Sequence, residues 1–234
     1  MRKITSFFAI LFLASRLLSG ASVHAEGARP FITAEDLDLL VLLPPPPRND
    51  SAQTKAELGE ILILQVTRTS DMEARAKADV AQEIWRFADV MGPQYAKDAL
   101  PKFARFFERV VTTEGAVNDP AKDVWKRPRP HLYSDLVKPT VPLSKSGSYP
   151  SGHATVGTLM GIVLSNMVPE KRAEIMARAW EYGHNRLVGG IHYASDIEAG
   201  RIAGSVIAAT IMTRSDFQTE FAAARAELRA ALGL

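Results

Sequence analysis

The chain has 234 residues, 47% of them hydrophobic and 23% charged, with 15 Gly and 14 Pro dispersed along it. These proportions belong to a chain that buries a core and exclude a disordered, collagenous or many-span membrane protein. With 0 cysteines it can form no disulfide, zinc-thiolate site or thiolate nucleophile. The formal net charge is +2, but Arg2, Lys3 and Arg16 stand in an N-terminal stretch without acidic residues and leave the rest at −1. Such a balance gives no general basis for holding a nucleic acid.

Residues 1–25 combine a charged start, an apolar run at 7–13 and the small-residue ending Val23-His24-Ala25. This is the pattern of a bacterial secretory signal peptide cleaved after Ala25, and it places the mature chain in the periplasm. The apolar run falls short of the roughly 20 residues needed to span a bilayer, and Arg16 interrupts it. The later apolar stretches, 154–167 and 202–212, are also too short, so no stable membrane association is expected after cleavage. Residues 26–234 read as one domain.

The mature chain opens with Thr33-Ala34-Glu35-Asp36, a capping-box pattern that predicts a short Leu-rich helix. Pro44-Pro45-Pro46-Pro47 ends it and imposes an extended strap across the surface. Helical periodicity covers 54–66 and then 71–91, where Met72, Ala76, Val80, Ile84, Ala88 and Met91 recur every three or four residues. Pro101 opens a further helix, whose Phe103, Phe106, Phe107 and Val110 read as core. Residues 115–120 predict a break, 121–127 a short helix ended by Pro128 and Pro130, and 131–148 a long irregular loop of the kind that carries function. Three helices follow, at 151–168, 169–187 and 193–212, and an amphipathic one at 215–232. No segment alternates with period two, so the fold class is all-α: a bundle of about seven or more helices.

Four histidines remain after residue 25: His131, His153, His184 and His192. His131 and His184 read as structural. His153 closes Tyr149-Pro150-Ser151-Gly152-His153 at a predicted helix start, where N–H groups lacking internal partners attract anions. His192 stands four residues before Asp196, whose carboxylate can accept the imidazole Nδ1–H and leave Nε2 free as nucleophile or base. Lys122, Arg129 and Arg186 supply cations suited to phosphoryl oxygens. The bland alternative for these cations is a solvated basic patch, since Lys126 and Arg127 lie beside them.

The order Lys122, Arg129-Pro130, then Pro150-Ser151-Gly152-His153, then Arg186, His192 and Asp196 resembles the three-part signature of the type 2 phosphatidic acid phosphatase superfamily. Within it, the chain is similar to the soluble bacterial class A non-specific acid phosphatases. The Leu43-Pro44-Pro45-Pro46-Pro47 strap, Gly147-Ser148-Tyr149 and Ala199-Gly200-Arg201 extend the resemblance over most of the mature chain. It implies an all-helical acid phosphatase/vanadium haloperoxidase-like fold and hydrolysis of phosphate monoesters through a phosphohistidine, without metal or cofactor. Carried over by position, His192 is the nucleophile, Asp196 its orienting partner and His153 the acid that protonates the leaving oxygen. Lys122, Arg129 and Arg186, with Ser151 and the Gly152 backbone, bind the phosphoryl oxygens; relatives suggest a homodimer. Asn185 stands where the family has Ser, and as an amide it is a candidate donor to a phosphoryl oxygen. The signature leaves two alternatives: a vanadate-dependent haloperoxidase, and a non-catalytic phosphate-binding pseudoenzyme.

Overall fold

A computed structural model describes residues 28–234, so the expected leader lies outside the described residues. Those residues hold helices and no strand. The Thr33–Asp36 pattern does form, with Asp36 Oδ2 accepting from Thr33 N–H at 2.9 Å, but it closes a turn. The helix that follows, α1 (Leu39–Leu42), is one turn long and capped by Asp38. The proline strap then passes over the bundle, anchored where Tyr149 Oη donates to Pro44 O at 2.7 Å.

Helix α2 (Ala52–Thr67) starts at Ser51, whose hydroxyl accepts from Thr54 N–H, and α3 (Ser70–Ala78) is capped in the same way by Thr69. The apolar stripe that predicts one helix over 71–91 is real, but the helix stops at Asp79. Backbone at 79–83 unwinds because its carbonyls serve other groups: Val80 O faces His153 Nε2 at 3.0 Å and Ala81 O accepts from Tyr182 Oη at 2.6 Å. A 3₁₀ turn at Ile84–Phe87 and the single-turn α4 (Ala88–Met91) bury Ile84 and Met91 of the stripe but leave Ala88 exposed.

Helix α5 (Pro101–Trp125) runs straight through the break expected at 115–120. Pro120 has no N–H to give to Ala116 O, and that carbonyl accepts instead from Ala34 N–H at 3.2 Å. A segment remote in sequence thus supplies the bond that the proline removes. Phe103, Phe106, Phe107, Val110 and Val117 on one face of α5 join the main core.

After the single-turn α6 (Pro130–Tyr133), the chain runs irregularly to α7 (Gly152–Met167), which is buried on nearly all sides. Around α7 pack α5, α8 (Arg172–Val188) and α9 (Ala194–Ile211), while α10 (Ser215–Leu232) closes over α5. A short 3₁₀ turn, Pro169–Lys171, precedes α8. The α7 contacts are made almost backbone to backbone. A Cβ added at Gly204 would lie 2.4 Å from Thr155 O, and one at Gly161 2.6 Å from Ala179 Cβ. This closeness brings the N-terminus of α7 beside the N-terminus of α9, where the sequence places its chemistry.

Candidate active site

The two helix starts are tied directly, since Ser151 N–H donates to Asp196 O at 3.0 Å. Ser151 is the N-cap of α7, and its Oγ accepts from Ala154 N–H at 3.3 Å. Asp196 sits in the first turn of α9 and accepts from Tyr193 N–H at 2.8 Å. His192 lies one residue before Tyr193, the N-cap of α9, on the bend after α8, and is only 2% exposed.

The expected pair forms: His192 Nδ1 is 3.3 Å from Asp196 Oδ2, with Ser148 Oγ also 3.4 Å from Nδ1. With Nδ1–H given to the carboxylate, the lone pair is on Nε2, which Arg129 Nη1 approaches to 3.0 Å. Burial, reinforced by Arg129, Arg186 and Lys122, holds the His192 imidazole well below its ordinary pKa, so the ring is neutral. Burial raises Asp196, and the Arg127 guanidinium opposes that rise.

Arg127 is the member to which the sequence analysis assigns no role. It is 3% exposed and donates from Nη1 to Asp196 Oδ1 at 2.6 Å and Ser195 Oγ at 2.7 Å, and from Nη2 to Glu57 Oε2 at 3.0 Å. Lys126, the C-cap of α5 with φ 47°, turns the chain so that Arg127 grips Asp196 while Arg129 reaches His192. Pro128 and Pro130, which stiffen the backbone on either side of Arg129, are the available signal against a merely solvated patch.

Arg129 is fixed before any ligand arrives. Its Nε donates to Ser146 O at 3.0 Å, its Nη1 to Ile191 O at 3.1 Å and its Nη2 to Ser146 Oγ at 3.2 Å. The irregular 131–148 segment therefore acts here by holding an arginine. Arg186 is the opposite case. It is 2% exposed, its Nε and Nη1 have no partner among the described residues, and burial lowers it to about 10. A buried cation with two unpaired donors calls for an anion.

His153 directs Nε2–H to Val80 O at 3.0 Å and turns Nδ1 toward Gln82 Nε2 at 3.5 Å. Its ring stacks on Tyr182 with centroids 5.7 Å apart. Burial, and then Arg186, pull it down to about 3. Lys122 Nζ bonds Asp119 Oδ1 at 3.3 Å and reaches over Gly152, where an added Cβ would come within 3.0 Å of it. A cleft of about 350 Å³ is lined by Lys122, Arg129, Gly152, His153, Arg186 and His192, with Pro142, Leu143 and Ser144 at its rim. Among the described residues, no group of three or more His, Asp or Glu side chains is set to hold a metal ion.

Asn185 does not join this lining. Its Nδ2 donates to Asp79 Oδ2 at 2.7 Å, and the buried Asp79 carboxylate also accepts from Arg178 and from Arg86. The amide is spent on a structural carboxylate behind the site, which corrects its expected place among the phosphoryl donors. His131 and His184 also lie outside the lining.

The arrangement is a buried His–Asp pair facing three cations at a helix N-terminus in an all-helical frame, a set of donors and charges chemically suited to a tetrahedral oxyanion. The frame resembles the crystal structure of a bacterial vanadium-dependent iodoperoxidase, with TM-score 0.52 and 22% identity over 72% of this chain and 51% of that one, about half its length. In sequence, the chain is 33% identical over 222 residues to a non-specific acid phosphatase of Salmonella typhimurium, covering 91% of this chain and 89% of the relative. It is 32% identical over 228 residues to an acid phosphatase of Zymomonas mobilis, covering 94% and 86%. To a non-specific acid phosphatase of Providencia stuartii it is 31% identical over 213 residues, covering 83% and 82%. Residues 109–220 match the PAP2 superfamily, and the chain belongs to that superfamily, in the family of the bacterial acid phosphatases.

Proposed function

We propose that the protein is an acid phosphatase that hydrolyses phosphate monoesters through a covalent phosphohistidine. The observation that carries this reading is the convergence, at one cleft, of a neutral His192, whose Nε2 lone pair meets only the Arg129 guanidinium among the described residues, with the unpaired Nε and Nη1 of buried Arg186. Arginine donors and the first N–H groups of α7 supply charge stabilisation for the equatorial oxygens, which is most of what phosphoryl transfer asks of a protein.

In the first step, Nε2 of His192 forms a bond to phosphorus as the bond to the ester oxygen breaks, and the leaving alkoxide takes a proton from His153. Val80 O engages the Nε2–H of His153, so the proton to be given is the one on Nδ1. In the second step, water adds to phosphorus, gives its proton back to His153 and releases His192 with phosphate. Asp196 supports the imidazolium charge that develops. His153 is neutral in the free site, but a phosphoryl group among the cations offsets their repulsion and restores its basicity. A monoanionic ester can also bring the proton in itself, because monoanion plus neutral histidine has the same composition as dianion plus imidazolium. The rate should therefore fall as pH rises past the ester's second ionisation, roughly pH 6; a rate still climbing above about pH 8 would contradict this.

Among the described residues no helix is long and apolar enough to cross a membrane, which suits release into the periplasm after cleavage at Ala25. The test is hydrolysis of p-nitrophenyl phosphate from acid to neutral pH in excess EDTA, with and without orthovanadate, beside His192→Ala and Asp196→Asn. Activity that resists EDTA, is blocked by vanadate, vanishes in His192→Ala and drops by orders of magnitude in Asp196→Asn supports the reading. Saturable phosphate binding without turnover would replace it with a binding protein, and halide oxidation by peroxide after vanadate loading with a haloperoxidase.

A further inference from the structure

Behind the cleft, α5 carries three buried polar residues on one face: Glu114, Asn118 and Lys122, exposed by 4%, 0% and 7%. Only Lys122 is accounted for by phosphoryl binding. Glu114 Oε1 and both amide atoms of Asn118 have no hydrogen-bond partner among the described residues, an unusual condition for groups so deeply placed. A methyl added at Gly152 would meet Lys122 Nζ at 3.0 Å, Glu114 Oε1 at 3.1 Å and Gln82 Nε2 at 3.6 Å. The ends of these three side chains therefore surround one point against the start of α7.

We propose that Glu114 is a positioning residue for Lys122, leaving the ammonium to the phosphoryl group while its own carboxyl is neutral and drawing that charge inward once ionised. The inference rests on the phosphatase reading and adds a participant that this reading does not require. The charged groups acting on Glu114 are Lys122 and Asp119 of its own helix. Against it, α7 presents Gly152 and, through Gln82, His153, while the unwound segment at 79–83 presents the uncharged Gln82 amide. Burial pushes the Glu114 carboxyl up to about 7, with the Lys122 ammonium working against that rise. Glu114 is thus neutral over the acid range and ionises, losing its proton to solvent, across neutrality. A phosphoryl anion on Lys122 disfavours the ionised form, and by linkage the ionised form disfavours the anion.

The experiment is calorimetric binding of inorganic phosphate from pH 5 to 8.5 by the wild type and by Glu114→Gln, with competitive inhibition of p-nitrophenyl phosphate hydrolysis measured in parallel. Both proteins share the changes due to phosphate's own ionisation and to His153, so the ratio of their affinities isolates Glu114. At pH 5 the two should bind alike. By pH 8.5 the wild type should bind about tenfold more weakly than Glu114→Gln, the equivalent of one pKa unit of coupling, with KM moving more than kcat. Should Glu114→Gln not fold, Glu114→Met removes the same ionisation at similar volume. Parallel affinity profiles in wild type and folded variant would overturn the role of Glu114 and leave the phosphatase reading standing. A wild type that neither binds nor hydrolyses phosphate compounds would overturn both.

Discussion

Arg127→Lys tests whether the residues behind the His–Asp pair support it as the geometry implies. Arg127 serves Asp196, Ser195 and Glu57 from two different nitrogens, with its guanidinium 4.1 Å over the Tyr193 ring. Lysine keeps the charge but brings one compact ammonium to two carboxylates, at Asp196 and Glu57, that are 0% and 6% exposed. One of them is left without its partner. Breaking a buried pair in this way costs about 3–5 kcal/mol, which for a chain of this size is roughly 6–20 °C in Tm. The kinetic effect has a distinct sign. Burial already raises Asp196, and Arg127 restrains it; without that restraint more of Asp196 is protonated at acid pH, and His192 loses the acceptor that fixes its tautomer. kcat for p-nitrophenyl phosphate should fall about 100-fold at pH 5, by analogy with loss of the orienting carboxylate in other triads, and much less at pH 7. KM should stay nearly constant, because Arg127 does not line the cleft. Steady-state kinetics at both pH values and a thermal melt decide the matter. Wild-type Tm and kcat in Arg127→Lys would refute the reasoning, and a loss in kcat equal at both pH values would refute the ionisation argument.

Asn185→Ser shortens the donor to Asp79 without touching the cleft, so it should lower stability by about 1–2 kcal/mol and change kcat by less than about threefold; a large gain or loss of activity would return position 185 to the phosphoryl site. His153 and His192 are held below the ordinary histidine pKa, so the unfolded chain binds more protons as pH falls below about 6.5. Stability is therefore lost on acidification, by up to about 1.4 kcal/mol per histidine per pH unit. Phosphate should reverse this and raise Tm more at pH 5 than at pH 7.5 in melts with and without the ion; equal shifts would count against protonation on binding. Gly204→Ala puts a methyl 2.4 Å from Thr155 O, which should cost about 1–3 kcal/mol and lower kcat by separating the starts of α7 and α9. An unchanged melt would show that the helices can part freely.

Amphipathic or wholly apolar segments with clear caps are legible in the sequence. Residues 54–66, 151–168, 193–212 and 215–232 are helical in the structure within two residues at each end, because local pattern and tertiary burial agree there. The His192–Asp196 pair is legible from spacing, and the cations around it from the family resemblance. What is not legible depends on partners far away in the chain. Pro120 reads as a break because only the fold shows Ala34 taking over the freed carbonyl. Asp79 interrupts a persistent apolar stripe because Arg178, ninety-nine residues later, takes its carboxylate. Arg127 stands in the same basic run as exposed Lys126, and the partners that bury it, Asp196, Ser195 and Glu57, all lie far away in the chain.

The left-handed turn at Lys126 gives one short stretch of chain a mechanical function. Arg127 holds the carboxylate end of the His–Asp pair and Arg129 the imidazole end, so the segment acts as a caliper whose jaws are set by a single backbone turn. Its fixed arm is the last turn of α5, which also carries Lys122. A ligand that pulls on Lys122 therefore loads the same lever that clamps the pair. Adding or deleting one residue between Lys122 and Arg129 would open both jaws together, so in this stretch chain length constrains the site as tightly as side-chain identity.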